Sequence, residues 1–349
     1  MDQFLIILSP TLPATGQTGN GTTPDDIYAE WCWIGLPGGG QRVYDYCSKA
    51  IKHGYRHFDT PPLLKIVPCP IQAARYDNEG QVGRAIRDSG IPREEFFITT
   101  KLSNFDHARV REAFEESLNS IGCDYIDLYL MHWPQANKPS DEVLGDASDA
   151  WEAYGADESP TFSETWRDME DLMNTGKIRA IGVSNFSIKN LEILLPQCRI
   201  LPATNQVESH PYLPNHELKA YCDAKGIPMT CYSPLGQQHP SGPTSLLGNP
   251  VVASIAAKHN IDMAQVLISW GVQRGTIVIP KTENEKRMVT NITLKHLPEE
   301  DMIALSELHK QPGCHRSLWK GHSPSGKALG WTYEQLGWNM TVGGIVPSS

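Results

Sequence analysis

The chain has 349 residues, 40 % of them hydrophobic, and 40 acidic against 30 basic side chains leave a formal net charge of −10. That length and apolar content describe a globular chain of one large domain or two small ones. The acidic balance argues against a nucleic-acid partner, whose backbone calls for a basic face.

The longest apolar run, Phe4–Leu8, falls far short of the ~18 residues of a membrane span, and it lacks the basic flank of a secretory signal. The 8 cysteines form no CxxC pair, so neither a disulfide framework nor a zinc site is expected. Reduced thiols in a cytoplasmic protein are the expectation.

From residue 42 onward, amphipathic helices alternate with short apolar strands. Val43 to Ile51 has helical spacing and Gly54 closes it; Arg56–Asp59 then reads as a strand. A helix around Val82–Ile86 ends at Gly90, and Phe96–Thr100 is β-rich. Val110, Phe114 and Leu118 mark a helix stripe, followed by the strand Ile126–Met131. Thr161–Met173 is helical, Ile178–Val183 a strand, Leu191–Leu195 a short helix. Ala203–Val207, Met229–Tyr232 and Thr276–Ile279 are strands, separated by helices near 215–225 and over 248–273. Further helices cover 284–291 and Glu299–His309.

Apolar strands alternating with amphipathic helices predict a parallel sheet covered by helices. Seven strands are visible, and Leu12–Gly16 is the candidate for the eighth. The pattern fits an α/β chain forming one closed (β/α)8 TIM barrel. A doubly wound open sheet is the alternative, but it wants a glycine fingerprint that neither Gly16–Gly21 nor Gly38–Gly40 supplies. Polar residues 17–30 and the proline-rich 61–72 break the rhythm, since prolines at that density exclude helix and central strand. A longer acidic connection spans 134–163, and the tail from 311 to 349 is rich in Gly, Ser and aromatic residues.

In such a barrel the chemistry lies at the C-terminal strand ends. Asp59, Lys101, His132, Ser184 with Asn185, Gln206, Tyr232 with Ser233, and Lys281 all fall there, and Tyr76 lies at the mouth of the helix after Asp59. A buried Asp–Lys pair that keeps the lysine charged lowers the pKa of a nearby phenol from about 10. A tuned phenol can donate a proton and take it back, and a histidine can hydrogen-bond the oxygen on which charge builds. Carbonyl reduction with a cofactor hydride follows. Singly, each residue has a blander reading as a salt bridge, core group or helix cap. A purely structural role predicts no such ordering along successive strands. A zinc hydrolase built on His57, Asp59, His132 and His210 is a weaker alternative because no HxH pair exists; no metal is expected.

The segments GYRHFDT (54–60), AARYDNEGQVGRAI (73–86), TTKL (99–102), DYIDLYLMHWP (124–134), GKIRAIGVSNFS (176–187), NQVESHPYL (205–213), YSPLG (232–236) and IVIPKT (277–282) resemble the aldo-keto reductases, most closely the fungal aldose, xylose and glycerol reductase branch. The resemblance covers about 42–310. It implies a (β/α)8 barrel that uses NADP(H), with Tyr76 as general acid and Asp59, Lys101 and His132 as its partners. Ser184, Asn185 and Gln206 would hold the nicotinamide carboxamide, Tyr232 would stack on the ring, and Ser233 and Leu235 belong to the same cofactor site. Lys281, Thr282 and Arg287 would grip the 2′-phosphate. Asn291 matches the adenine contact, and Thr290 stands where the family usually has Glu. Trp133, with His132, would line the substrate pocket. On this reading 1–310 is one reductase barrel and 311–349 a tail on the substrate side.

Two departures stand out. The family places its Tyr about five residues after the Asp, whereas Asp59 and Tyr76 are separated by 61–72; removing that segment joins Asp59-Thr60 to Ala73-Ala74-Arg75-Tyr76 in register. The family's Gly-x-Gly-Thr-Trp loop after the first strand is also absent, and dropping 17–30 would bring Trp31 near the expected Trp. The expected function is NADPH-dependent reduction of sugar aldehydes or small carbonyls by a monomer or weak homodimer. The alternative is an NADPH-binding regulatory protein whose turnover is impaired by the insertions.

Overall fold

The computed structural model describes residues 31–33 (backbone), 40–60, 78–139, 149–237 and 245–347. Leu12–Gly16, both insertions and Tyr76 lie outside them. Eight parallel strands follow in chain order: β1 (Trp31–Trp33), β2 (His57–Asp59), β3 (Phe97–Leu102), β4 (Ile126–Met131), β5 (Ile178–Ser184), β6 (Asn205–Glu208), β7 (Met229–Tyr232) and β8 (Ile277–Ile279). Each pairs with the next, and the curl brings β8 beside β1. This is the (β/α)8 architecture expected from the alternation. The first strand differs from expectation: Trp31–Trp33 pairs with His57–Asp59, so Trp31 belongs to the strand and not to the loop after it.

The intervening helices pack because their apolar residues share one face. In α1 (Gly40–Lys52), buried Val43, Tyr46, Cys47, Ala50 and Ile51 fall at helical spacing against the sheet. Helices α2 (Asn78–Asp88), α3 (Val110–Ile121), α4 (Phe162–Leu172) and α5 (Ile188–Leu194) extend the same core over β2 to β5. At α4, Glu164 N–H donates to Thr161 Oγ1 at 3.3 Å, while Thr161 N–H donates to Glu164 Oε2 at 2.8 Å, satisfying two otherwise orphaned donors. Inside the barrel, space is short at Gly182 on β5. A Cβ there would lie 2.8 Å from Leu130 Cδ2 and 2.9 Å from the Thr204 carbonyl oxygen.

Helix α6 (His216–Lys225) precedes β7. The single helix expected over 248–273 is two, α7 (Pro250–His259) and α8 (Met263–Gln273). Asn260 turns left-handed at φ 52°, and Asp262 starts the second helix in a capping box with Gln265. Helices α9 (Glu285–Ile292) and α10 (Glu299–Ser306) follow β8. The tail is ordered as well: β9 (Lys327–Ala328) and β10 (Trp331–Thr332) form a short antiparallel ladder leading into α11 (Tyr333–Leu336). Among the described residues no helix is long and apolar enough to cross a membrane.

Candidate active site

Strand register places the polar ends side by side. Asp59 pairs in register with Thr99, two residues before Lys101 on β3, and Lys101 lies opposite Leu130 near the end of β4, where His132 follows. The Lys101 Nζ donates to Asp59 Oδ1, and Gln206 Nε2, from β6 across the barrel, donates to Asp59 Oδ2 at 2.7 Å. Asp59 is fully buried and Lys101 is 2 % exposed. Burial is the largest influence on both groups, pushing the Asp59 pKa up and drawing that of Lys101 down. Their mutual attraction and hydrogen bond oppose it. The attraction expected to favour the charged lysine is present and opposes the lowering that burial causes.

His132 is partly exposed, yet burial and then the Lys101 charge hold its pKa at about 3. A neutral imidazole keeps one N–H to donate and carries no charge to compete with Lys101. Beside it, Asn185 adopts a positive φ of 63°. That conformation, tolerated by Asn better than by most side chains, turns its amide back under β4: Nδ2 donates to the His132 carbonyl oxygen at 2.9 Å and Oδ1 accepts from the Tyr232 hydroxyl at 2.8 Å. Ser184 Oγ donates to the Gln206 carbonyl oxygen at 2.8 Å. Asp59, Lys101, His132, Ser184, Asn185, Gln206 and Tyr232 are thereby joined in one group at the barrel mouth. Ser233, at φ 50°, turns the chain after β7, and Leu235 packs against the apolar cluster that includes Leu246 and Leu318.

After β8, Lys281 Nζ lies 3.2 Å from Glu283 Oε1, and Arg287 Nε donates to Thr282 Oγ1 at 3.1 Å. Lys281, Thr282 and Arg287 therefore cluster on one loop and the first turn of α9, where a helix N-terminus adds favourable dipole for an anion. Arg42 also pairs with Glu283 at 2.7 Å, a neighbour not foreseen from the sequence. Asn291 is 1 % exposed, and its side-chain Oδ1 has no hydrogen-bond partner among the described residues. A buried orphan acceptor fits an adenine amino group, and the cationic cluster one helical turn earlier fits a phosphate. The residues present thus fit NADP(H).

Trp133, 3 % exposed, is covered by the tail: its ring centroid is 5.0 Å from that of Trp319 and 5.6 Å from that of Trp338. Trp319 and Trp338 were not singled out from sequence, because nothing local ties the tail to residue 133. Two histidines of the zinc alternative are engaged elsewhere. His57 Nε2 hydrogen-bonds Thr99 Oγ1 at 2.5 Å, and His210 Nε2 meets Glu208 Oε1 at 2.9 Å. Among the described residues no three His, Cys, Asp or Glu side chains are grouped so as to hold a metal ion.

The sequence profile of the Aldo/keto reductase family matches residues 40–310, and the chain belongs to this family. It is 43 % identical over 289 residues to a glycerol 2-dehydrogenase (NADP(+)) of Saccharomyces cerevisiae, covering 81 % of this chain and 88 % of that one. It is also 43 % identical, over 281 residues, to aldehyde reductase YPR1 of the same yeast, covering 78 % of this chain and 85 % of the relative. Among solved structures it is similar to a Bombyx mori aldo-keto reductase in complex with NADP, with a TM-score of 0.66 and 33 % identity over 79 % of this chain and 87 % of that one.

Proposed function

We propose that the protein is an NADPH-dependent reductase that converts aldehydes or ketones to alcohols. The observation that carries this reading is the buried Asp59–Lys101 pair, capped by Gln206 and placed beside neutral His132. When bound, NADPH supplies a hydride to the carbonyl carbon. Tyr76, the residue that matches the family's acid, gives its phenolic proton to the carbonyl oxygen. His132 donates a hydrogen bond to that oxygen as charge gathers on it. Lys101, held by Asp59, supplies the positive charge that favours the phenolate left behind.

Ser184, Asn185 and Gln206 orient the carboxamide, with Tyr232, Ser233 and Leu235 along the same cofactor. Lys281, Thr282 and Arg287 take the 2′-phosphate, and Asn291 takes the adenine. Trp133 and His132 face the substrate, and the tail from 311 completes that side, so sugar aldehydes or small carbonyls are the substrate class. Free buried thiols such as Cys47, Cys222 and Cys231 suit a reducing cytoplasm, where we place a monomer or weak homodimer.

The test is direct. Protein mixed with NADPH and glyceraldehyde is expected to consume NADPH, read as lost absorbance of the reduced nicotinamide. Cofactor binding without turnover for any aldehyde tried would replace this reading with that of a regulatory NADPH-binding protein.

A further inference from the structure

Strand β6 carries two inward polar residues at alternate positions, as a period of two requires. Gln206 reaches Asp59; Glu208 is 6 % exposed and reaches the tail. Its Oε1 accepts from Leu318 N–H at 2.7 Å and from His210 Nε2 at 2.9 Å, and its Oε2 accepts from the Ser317 hydroxyl. The His210 tautomer is fixed by the backbone. Its Nδ1 accepts from Leu213 N–H at 3.2 Å, so Nε2 carries the proton given to Glu208.

The chain of bonds beyond Ser317 has only one consistent direction. A carboxylate cannot donate, so Ser317 gives its single proton to Glu208 and must accept from its other neighbours. Those neighbours are Trp319 N–H at 3.1 Å and His322 Nε2 at 2.7 Å. His322 is then protonated on Nε2, and its Nδ1 accepts from the Tyr333 hydroxyl at 2.9 Å. Three donors thus reach the carboxylate directly, two more donate to Ser317 and one to His322, all six aligned by one buried charge. Burial pushes the Glu208 carboxyl up, but its contacts with His210, Ser317 and Leu318 outweigh that and hold it below its ordinary range. Packing leaves the chain no slack: a Cβ on Gly344, at φ +71°, would lie 2.4 Å from His322 Nε2.

The residues held this way flank the aromatic cover of Trp133. Trp319 follows Ser317 by two positions, His322 lies edge-on to Trp319 at 5.3 Å, and Tyr333 stacks on Trp338 at 6.4 Å. We infer that Glu208 is a positioning residue that latches the tail through Ser317, His322 and Tyr333, fixing Trp319 and Trp338 over Trp133 and so setting which carbonyl substrates are held well. This rests on the reductase reading for its kinetic consequence, though not for its geometry. Glu208 touches neither substrate nor cofactor; it acts through the tail.

The experiment uses the full chain with Glu208→Gln and, as a milder change at the far end, Tyr333→Phe. Glutamine is isosteric and still offers Oε1 to Leu318 and His210. Its amide, however, brings a third donor to Ser317 Oγ and strands the hydroxyl proton. Expected for Glu208→Gln is a rise in KM of about tenfold for a bulky aromatic aldehyde, with kcat and NADPH affinity held within about twofold. Tyr333→Phe is expected to move KM the same way by a smaller factor. Hydrogen exchange, which needs no activity, should quicken in peptides spanning 315–340 while the β2 to β5 peptides stay protected. An unchanged KM and unchanged exchange in the tail would overturn the inference. So would exchange quickened throughout the chain in both variants, which would make Glu208 a general stabiliser. If wild-type protein reduces no aldehyde, the functional reading fails, and the exchange pattern alone decides the latch.

Discussion

Gln206 spends its side-chain amide on the Asp59 carboxylate oxygen that Lys101 does not occupy, at 2.7 Å. Both oxygens of a fully buried carboxylate are therefore satisfied, one by a cation and one by a neutral donor from the far side of the barrel. A buried pair of this kind is costly to break from one side, because the partner is left as an uncompensated charge. Asp59→Asn is expected to destabilise the fold by about 3–5 kcal/mol, or to drive Lys101 to its neutral form. Combining it with Lys101→Met removes both charges and should restore much of the melting temperature, while reduction stays abolished. Thermal melts of the three variants check this. A single Asp59→Asn that melts like the wild type would show that the pair contributes nothing to the fold.

The depressed histidines give the stability a sign. His132 and His107 are each held at about 3, burial being the first cause in both. When unfolded, each takes up a proton near pH 6.5, whereas the folded form resists until about pH 3. Acidification through that window adds protons to the unfolded state first, so stability falls as pH drops from about 6.5 toward about 3. His132→Gln removes one such site and is expected to show a smaller fall in melting temperature between about pH 7 and pH 5 than the wild type. The same shift predicts that log kcat/KM shows no ionisation of His132 between about pH 5 and pH 8. A bend there that His132→Gln eliminates would contradict it.

Much of this site was legible in the sequence because parallel barrel strands are buried on both faces, so each reads as an apolar run that a polar residue ends. Asp59, Lys101, His132, Ser184 and Gln206 were found that way, and the structure brings them together. Among the described residues the strand beside β2 is Trp31–Trp33, which sequence does not reveal because it is only three residues and carries no alternation, while the candidate Leu12–Gly16 lies outside them. The split at Asn260 was missed although Asn and Asp at 260 and 262 are the residues that stop and start helices. Glu208 lies in the segment NQVESHPYL (205–213), two residues from Gln206, with the right period. Its partner Ser317 lies 109 residues on, in a stretch without periodicity, and no local rule joins them.

The loop after β8 predicts cofactor preference. Lys281 and Arg287 flank Thr282, with Arg287 bonded to it at 3.1 Å. NADPH differs from NADH only by the 2′-phosphate that such cations recognise. Lys281→Ala or Arg287→Ala should each weaken NADPH by about 1.5–3 kcal/mol, the worth of a charge-assisted bond, while leaving NADH affinity nearly unchanged. Titration of both cofactors against each variant decides it. Equal losses would mean that these side chains shape the loop without reading the phosphate.

The last prediction concerns the segment between Asp59 and Tyr76. Asp59 ends β2, and Asn78, fully buried, opens α2, so the two ends of the connection are anchored in the barrel. Residues 61–72 include Pro61, Pro62, Pro68 and Pro70, which offer no backbone donors, together with apolar Leu63, Leu64, Ile66 and Val67. Extra length in such a loop costs little entropy, roughly 0.6 kcal/mol per doubling, so the barrel should tolerate the segment. Its position matters more, because in the chain it lies between Asp59 and the proposed acid, and a misplacement near 1 Å can cost about a hundredfold in rate. Deleting 61–72 brings Tyr76 back to the family's spacing and is expected to raise both melting temperature and kcat/KM. Tyr76→Phe in the deletion variant should then lower the rate by about 10²–10⁴-fold, the share of general acid catalysis, with NADPH affinity intact. If the deletion unfolds the chain, or abolishes turnover that the full chain possesses, then 61–72 is a working part of the site.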